Sequence, residues 1–248
     1  MNNVKFDFSG GRYVVTGASS GIGRQIALDL ADAGAEVLAI GRNVERLEEV
    51  KSHQPDRIVT ASLDVCDPVA LENAIKNFVV ERGKLNGGVH AAGISALTTL
   101  KNFDRDTAEK IMQTSFWAAV DFVNLVTKSK YGVNGTSTVL FSSTSALANP
   151  RGMFAYSASK AAVDSLIKTL SKEISIKKHR LNSVLPNWVD TSMTQSSAEW
   201  TDRANNNDRR LLGMGQPSDV SAPVLFLLSD GARWITGTNV VVDGGYLA

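Results

Sequence analysis

Three side chains that can exchange protons lie close together in this sequence. Tyr156 and Lys160 are four residues apart, and Ser143 is thirteen positions upstream of Tyr156. On a helix, residues i and i+4 share a face with about 5–6 Å between Cβ atoms, so the Lys160 ammonium can lie beside the phenol. A neighbouring cation favours ionisation of a phenol, whose ordinary pKa is about 10. The spacing predicts catalytic roles for Ser143, Tyr156 and Lys160, although Tyr-x-x-x-Lys is also a common pair on helix surfaces.

A series of strands and helices must position these side chains. Short β-branched runs alternate with longer segments of helical period, which is typical of βαβ units and a parallel sheet. The sequence therefore predicts an α/β fold of the doubly wound, Rossmann type, with a seven-stranded parallel sheet in three layers. The predicted strands are Tyr13–Thr16, Glu36–Ile40, Ile58–Leu63, Gly88–Ala91, Thr138–Phe141, Leu181–Leu185 and Asn239–Val242.

Two stripes of apolar residues predict the helix that follows the first strand and the helix that carries Tyr156 and Lys160. Ile22, Ile26 and Leu30 recur every four residues and indicate an amphipathic helix that ends near Gly34. A second stripe follows Tyr156 and supports a helical Tyr156 and Lys160. Its members are Ala158, Ala162, Leu166, Leu170 and Ile174.

Composition limits the class of protein. With 248 residues, 43% of them hydrophobic, we expect one domain over residues 1–248. A net charge of +1 gives no electrostatic reason to expect nucleic acid or an anionic membrane as partner. Cys66 has no partner for an internal disulfide, the first residues lack an apolar signal region, and no apolar run reaches the length of a membrane span. We expect a cytoplasmic protein.

A glycine loop follows the first predicted strand. Thr16 is followed by Gly17, Gly21 and Gly23, and the first helix begins there. Glycines allow the backbone to approach a pyrophosphate, whose charge is favoured at a helix N-terminus. The spacing Gly-x-x-x-Gly-x-Gly differs from the common G-x-G-x-x-G fingerprint. It predicts nucleotide binding, although many strand-to-helix turns also use glycine.

Arg42 indicates which dinucleotide would bind. The second strand ends at Ile40-Gly41-Arg42-Asn43, where a site for NAD usually has a carboxylate for the ribose 2′-hydroxyl. A guanidinium can bind the 2′-phosphate of NADP through two hydrogen bonds. The residue favours NADP(H), unless Arg42 is a solvated loop residue paired with Glu45 or Glu49.

Together these motifs resemble the single-domain short-chain dehydrogenase/reductase family, and are closest in pattern to 3-oxoacyl-[acyl-carrier-protein] reductases. The resemblance also includes an Asp-Val pair at 64–65, a Pro-containing loop at 185–191 and the tail motifs at 213–217 and 235–245. It implies that Tyr156 is the general acid, that Lys160 binds the nicotinamide ribose and lowers the tyrosine pKa, and that Ser143 orients the carbonyl. The implied cofactor-binding residues are Gly17, Ser19, Ser20, Gly21, Ile22, Gly23, Arg42, Asn43, Asp64, Val65, His90, Tyr156, Lys160, Val189 and Thr191.

The chain departs from the family pattern in three places. His90-Ala91-Ala92-Gly93 replaces Asn-Asn-Ala-Gly, and Ser115 replaces an asparagine that helps to anchor a water near the lysine. Either Ser115 or the nearby Gln113 can be expected to take over that role. Asn187 replaces a glycine after Pro186, and asparagine tolerates left-handed backbone better than most residues.

Other residues suggest further hypotheses. We expect His90 to be a packed, hydrogen-bonded residue rather than a catalytic base, and the spacing of His53 and His179 suggests no metal site. The polar segment Thr191–Gly215 is long for a connection, which indicates either a disordered segment or a substrate lid. Met193, Trp200 and Met214 would line such a lid, unless they pack on the fold instead. Six cations lie near predicted helix ends, where they favour the helix macrodipole or form a basic rim for an acidic carrier protein. They are Lys128, Lys130, Lys172, Lys177, Lys178 and Arg180.

The resulting hypothesis is an NADPH-dependent carbonyl reductase for 3-oxoacyl thioesters. One alternative is a related reductase or alcohol dehydrogenase for a sugar, a steroid or a small ketone. Another is a dinucleotide-binding regulator without turnover, which the changes at His90 and Ser115 suggest. The resemblance further implies a homotetramer formed by the fourth and fifth main helices and the C-terminal segment.

Overall fold

A computed structural model describes residues 4–195 and 211–248, which fold around one parallel sheet. All seven predicted strands are confirmed. Their bounds are β1 Arg12–Thr16, β2 Glu36–Gly41, β3 Ile58–Ser62, β4 Leu85–His90, β5 Gly132–Phe141, β6 Arg180–Pro186 and β7 Asn239–Val242.

β5 is the strand that departs most from its prediction. It begins at Gly132 rather than at Thr138. The prediction missed its first half because that half contains Asn134 and Gly135, residue types that disfavour strands. The pairing of β4 with β5 is irregular in the same region, between Leu85 and Gly87. From Ser137 onward the ladder is regular and buried. The end of β5 that precedes Ser143 is therefore the regularly paired end.

The order of the strands creates a crevice at one edge of the sheet. The order is β3-β2-β1-β4-β5-β6-β7, and every pair is parallel. The direction of winding reverses between β1 and β4, and ligands of such sheets bind outside the carboxyl ends of the strands at this point. The predicted doubly wound topology is confirmed.

Helices cover both faces of the sheet and complete the three layers. The helices are α1 Gly21–Asp32, α2 Val44–His53, α3 Pro68–Arg82, α4 Arg105–Met112, α5 Ala118–Thr127, α6 Ser145–Ala148, α7 Phe154–Ile174 and α8 Pro217–Leu228. One hydrophobic core joins the sheet to α1, α2 and α8, and the other joins it to α3, α5 and α7. α4 and α5 are joined by a π-helical segment, Gln113–Trp117, which we call the π-turn. Among these helices none is long and apolar enough to cross a membrane.

The apolar stripe predicted for α7 is displaced from the face that the sheet buries. Lys160, Val163 and Ile167 are buried, whereas Leu166 is half-buried and Ala158 is exposed. A repeat of four residues drifts by roughly 40° per step on a helix of 3.6 residues per turn. The buried face includes a lysine and serines, which a search for apolar residues does not count. The helix was predicted correctly, but its inward face was not.

Arg180, one of the six cations of the suggested basic rim, is part of the fold. Its guanidinium donates to the carbonyl oxygens of Leu227, at 2.7 Å, and of Ser229, at 3.0 Å. These carbonyls lie at the end of α8 and have no partner within the helix. Arg180 therefore caps α8 and ties it to the start of β6.

Candidate active site

The glycine loop joins β1 to α1 in a conformation that requires glycine. Gly17 has φ of +69°, and a Cβ there would lie 2.8 Å from the carbonyl carbon of Ala91. A Cβ on Gly23 would lie 2.5 Å from the carbonyl oxygen of Gly17. The loop is thus pressed against the end of β4, and its shape follows from the missing side chains.

The N-terminus of α1 is open towards the crevice. The side chain of its N-cap residue, Ser20, makes no capping hydrogen bond, and the first turn has no acidic residue. The free N–H groups and the helix dipole favour an anion there. Thr191 approaches from the loop after β6, since a Cβ on Gly21 would lie 3.1 Å from its Cγ2. This cradle of backbone and small side chains fits the pyrophosphate of a dinucleotide.

Arg42 lies at the carboxyl end of β2 and its side chain is exposed. Within residues 4–195 and 211–248 it has no carboxylate partner, so the alternative of a pair with Glu45 or Glu49 is not observed. Its backbone is held by Ser62, whose hydroxyl donates to the Arg42 carbonyl at 3.1 Å. The guanidinium is left available for a ligand.

The other residues predicted for the adenosine half have structural partners. The Asn43 side chain accepts from the Arg46 N–H at 2.8 Å and caps α2. Asp64 is exposed and accepts from the Cys66 N–H at 2.9 Å, while Val65 is buried. All of them lie at the carboxyl ends of β2 and β3, on the side where a dinucleotide would extend from the glycine loop.

The structure brings the three predicted catalytic residues together. Ser143 follows the carboxyl end of β5, and Tyr156 and Lys160 lie in the first two turns of α7. The Lys160 ammonium is 5.5 Å from the centre of the Tyr156 ring. It donates to the carbonyl oxygen of Phe141 at 2.8 Å, which ties α7 to β5.

Lys160 is a buried cation, with 4% of its surface exposed. Burial lowers the pKa of its ammonium to about 8, and the nearby Asp164 carboxylate acts in the opposite direction. The charge of Lys160 therefore changes close to physiological pH.

The pKa of the Tyr156 phenol is raised in the protein alone. Burial causes the rise, and an interaction with Ser143 offsets only part of it. The Lys160 ammonium bonds the Phe141 carbonyl, and that it lowers the pKa of Tyr156 stays a prediction. A protonated phenol is the form that can give a proton to a carbonyl oxygen.

Asp164 is a residue that the sequence interpretation missed. It lies one turn after Lys160, and its Oδ1 atom is buried without a hydrogen-bond partner among the described residues. Burial raises the pKa of its carboxyl group, while a hydrogen bond with Ser142 opposes the rise. Its i+4 spacing from Lys160 was the available signal.

Ser115, and not Gln113, occupies the inner side of the π-turn. Ser115 is 1% exposed, and its Oγ has no hydrogen-bond partner in the part of the chain that the structure describes. Gln113 is exposed. Of the two residues considered for the missing asparagine, only Ser115 is placed to hold a buried water.

His90 lies at the end of β4 with its side chain in the core. Its Nδ1 is 2.9 Å from Thr16 Oγ1 and its Nε2 is 3.1 Å from the carbonyl oxygen of Thr114. Burial is the main reason that its pKa falls to about 4. The imidazole is therefore neutral and packed, as expected, and only the backbone of His90 remains available to a cofactor.

The loop after β6 contains Asn187 in place of the family's glycine. Asn187 does not adopt the left-handed conformation that the substitution suggested. Its Oδ1 accepts from the Thr144 hydroxyl at 3.2 Å, which links this loop to the residue after Ser143. Val189 is buried two residues further on and pairs with Gly215.

The predicted lid at 191–215 lies largely outside the described residues, which omit 196–210 and with them Trp200. The two ends that are described are joined at the base. The Asp190 N–H donates to the Gly215 carbonyl at 2.8 Å, and the Gly215 N–H donates to the Trp188 carbonyl at 3.0 Å. Met193 and Met214 are exposed on either side of this junction.

The remaining histidines have structural contacts. His53 bonds Asp32 at 2.8 Å on the surface. His179 is buried, and its Nδ1 lies 2.8 Å from Thr136 Oγ1. Across residues 4–195 and 211–248, no three His, Cys, Asp or Glu side chains are grouped as metal ligands.

The fold and the site define an oxidoreductase that acts on CH–OH or C=O groups with a nicotinamide dinucleotide. A family model described as enoyl-(acyl carrier protein) reductase matches residues 17–247. An L-xylulose reductase from Caenorhabditis elegans is 33% identical over 98% of both chains. A 3-oxoacyl-[acyl-carrier-protein] reductase from Chlamydia trachomatis is 30% identical over 94% of this chain and 95% of its own.

Comparison with solved structures finds the same kind of protein. A dehydrogenase/reductase from Sinorhizobium meliloti is 30% identical, with a TM-score of 0.90 over 98% of this chain and 97% of its own. The chain belongs to the short-chain dehydrogenase/reductase family, as the sequence motifs predicted.

The position of Asp164 predicts how Lys160 titrates. We expect Lys160 in the protein alone to titrate at about pH 8. Asp164→Asn removes the charge that raises this pKa, so the midpoint should move to lower pH. NMR of protein labelled with ¹³C-lysine measures it, with Lys160→Met assigning the signal.

Asp106→Asn is the matched control, because Asp106 is an exposed carboxylate in α4. It should leave the Lys160 midpoint unchanged. A midpoint near the ordinary 10.5, or an upward shift in Asp164→Asn, would contradict this account of the site.

Proposed function

We propose that this protein is an NADPH-dependent carbonyl reductase. The observation that carries the proposal is the convergence of Ser143, Tyr156 and Lys160 beside a glycine loop that fits a pyrophosphate. The Ser143 hydroxyl positions the carbonyl oxygen, and Tyr156 gives that oxygen its proton. The bound nicotinamide supplies the hydride that reduces the carbonyl carbon.

The buried surroundings of Tyr156 suit this direction of reaction. Its raised pKa keeps the phenol protonated at neutral pH. The Lys160 ammonium stabilises the negative charge that forms on the phenol oxygen as the proton leaves. Ser143 is 8% exposed and close enough to the phenol to lower its pKa, so it is placed to hold a substrate oxygen without competition from bulk water.

NADP(H) is the proposed cofactor because Arg42 is exposed and has no described ion-pair partner. Gly17, Ser19, Ser20, Gly21, Ile22 and Gly23 would hold the pyrophosphate, and Asn43, Asp64 and Val65 would contact the adenosine. Val189, Thr191 and the backbone of His90 would contact the nicotinamide half, together with Tyr156 and Lys160.

Arg42→Asp tests the choice of dinucleotide. We expect the ratio of kcat/KM with NADPH to kcat/KM with NADH to fall by at least about 100-fold, because an interaction with phosphate is replaced by repulsion. Steady-state kinetics with both cofactors measures the ratio. Arg105→Asp is the control, since Arg105 is an exposed arginine in α4, and an unchanged ratio in Arg42→Asp would refute the assignment.

The proposed substrate class is a 3-oxoacyl thioester. The Chlamydia trachomatis relative is a 3-oxoacyl-[acyl-carrier-protein] reductase, and the sequence pattern is closest to such enzymes. A ketose is the second candidate. The L-xylulose reductase of Caenorhabditis elegans and a D-erythrulose reductase of Gallus gallus, 32% identical over 97% of this chain, favour it.

Tyr156→Phe tests the role of the phenol in catalysis, and a panel of ketone substrates tests which class of substrate the protein reduces. The substitution keeps the ring but removes the proton, so we expect kcat to fall by at least about 100-fold. NADPH oxidation is measured with acetoacetyl thioesters, ketoses, steroids and small ketones. Near-normal rates in Tyr156→Phe would exclude Tyr156 as the general acid. If the natural protein binds NADPH but reduces no ketone, the alternative of a dinucleotide-binding regulator would be favoured.

Lys172 and Lys177 are the two exposed cations that we select for the test of a carrier protein. Arg180 caps α8, and Lys130 forms an ion pair with Glu72 at 2.7 Å, whereas among the described residues Lys177 donates only to the Ser129 hydroxyl. Lys172 is sixteen residues after Tyr156 on α7, which corresponds to roughly 24 Å along the helix. A carrier bound at this rim would have to extend its acyl group over that distance or into a neighbouring subunit.

Charge reversal tests this rim. We expect Lys172→Glu with Lys177→Glu to raise the KM for an acyl-carrier-linked 3-oxoacyl substrate by about 10-fold and to leave the KM for a free small ketone unchanged. Lys110→Glu in α4 is the control. Equal effects on both substrates, or none on either, would remove the carrier from the proposal.

We further propose a cytoplasmic homotetramer. Trp234 is 96% exposed, and Phe226 and Val241 are exposed on nearby elements at the free edge of the sheet beside β7. Large exposed apolar side chains of this kind mark protein contacts. Sedimentation velocity measures the assembly.

A further inference from the structure

His90 is a buried polar side chain that no step of the proposed reaction uses. It is 2% exposed and lies in register with Thr16 of β1 and Leu140 of β5. Its ring centre is 5.6 Å from that of Phe122 in α5. The imidazole therefore stands where β1, β4 and the helix after the π-turn meet.

The hydrogen-bond partners of His90 select one tautomer. The Thr114 carbonyl oxygen can only accept, so the Nε2 atom 3.1 Å away must carry the hydrogen. Nδ1 is then an acceptor, and the Thr16 hydroxyl donates to it at 2.9 Å. The oxygen of that hydroxyl in turn accepts from the Ala92 N–H at 3.3 Å. The hydrogen bonds therefore all point from Ala92 through Thr16 and His90 to Thr114, and both ring nitrogens of the imidazole have a partner.

This chain ends on the π-turn. Thr114 is the second residue of Gln113–Trp117, and Ser115 follows it. π-helical segments are wider than α-helices and occur frequently at functional sites. The π-turn packs against α7, which carries Tyr156 and Lys160.

Ser115 has an unused hydrogen-bonding group at this position. Its Oγ is buried and without a partner among the described residues. Buried polar groups are generally hydrogen-bonded to protein or to an ordered water. Lys160 also contributes to the lowered pKa of the His90 imidazole.

We propose that His90, as the neutral Nε2–H imidazole, is a positioning residue that holds the π-turn through the Thr114 carbonyl. It thereby keeps the Ser115 hydroxyl at the inner wall of the catalytic site beside α7. The proposal rests on the proposed reductase function for its effect on turnover. Its structural part, the tautomer and the placement of the π-turn, can be measured without turnover.

A double-mutant cycle tests the effect on turnover. His90→Phe keeps the packing on Phe122 and removes both hydrogen bonds, and Ser115→Ala removes the hydroxyl. We expect His90→Phe to lower kcat by about 5–20-fold with the KM for NADPH within about twofold, and to have no further effect in the Ser115→Ala background. Additive losses in the two backgrounds, or an unchanged kcat, would overturn the proposal.

Conservative variants distinguish a role of His90 in positioning the π-turn from a role in the stability of the fold. Gln offers an N–H donor and a carbonyl acceptor, so His90→Gln should recover at least half of the lost kcat, whatever its denaturation midpoint. If His90→Phe does not fold, Thr16→Val removes the hydroxyl that donates to Nδ1, and the same coupling to Ser115→Ala is expected. A fall in the denaturation midpoint with normal kcat in the folded fraction would indicate a structural role alone and would reject positioning.

NMR of the protein alone tests the structural part. With ¹⁵N-labelled histidine, the His90 signals at pH 7 should be those of the Nε2–H tautomer, assigned by their loss in His90→Gln. The backbone amide signal of Ser115 should shift in His90→Phe and return in His90→Gln. An Nδ1–H tautomer or an imidazolium would overturn the proposal even in an active enzyme. Absence of turnover in the natural protein would reject the reductase function while these measurements still decide the role of His90.

Discussion

The hydrogen bond from the Lys160 ammonium to the Phe141 carbonyl is the contact on which the geometry of the site depends. A buried cation is costly unless it is hydrogen-bonded, so α7 is held where Lys160 reaches the end of β5. The same placement sets Tyr156 beside Ser143, which follows β5 in the chain. Burial lowers the pKa of the ammonium and raises that of the phenol, and both shifts have one cause, the loss of water around the site.

The winding of the sheet explains why residues from distant segments meet there. All strands are parallel, so their carboxyl ends lie along one edge, and the reversal between β1 and β4 opens that edge for a ligand. The glycine loop leaves β1 at this point, and Thr191 arrives from β6 to contact Gly21. Arg42 stands further along the same edge at the end of β2. One topological feature therefore places all parts of the candidate site along one edge of the sheet, from Arg42 to Tyr156 and Lys160.

Two of the departures of this chain from its family's pattern, at His90 and Ser115, are connected in space. His90 and Ser115 are far apart in the sequence, yet His90 bonds the carbonyl of the residue before Ser115. A change at one position alters the surroundings of the other, so the two substitutions belong to one hydrogen-bond network. Their presence is therefore compatible with a working site, and the retention of Ser143, Tyr156 and Lys160 is consistent with turnover.

Local patterns in the sequence determined the seven strands, the helices α1 and α7, the glycine loop and the spacing of Tyr156 and Lys160, because each depends on residues within a few positions of one another. Only the tertiary structure decided which face of α7 is buried, that the pKa of Tyr156 rises, and how His90 is paired. These properties depend on burial and on partners from other elements. Periodicity does not report them, since the atoms that desolvate a phenol or accept from an imidazole come from distant parts of the chain.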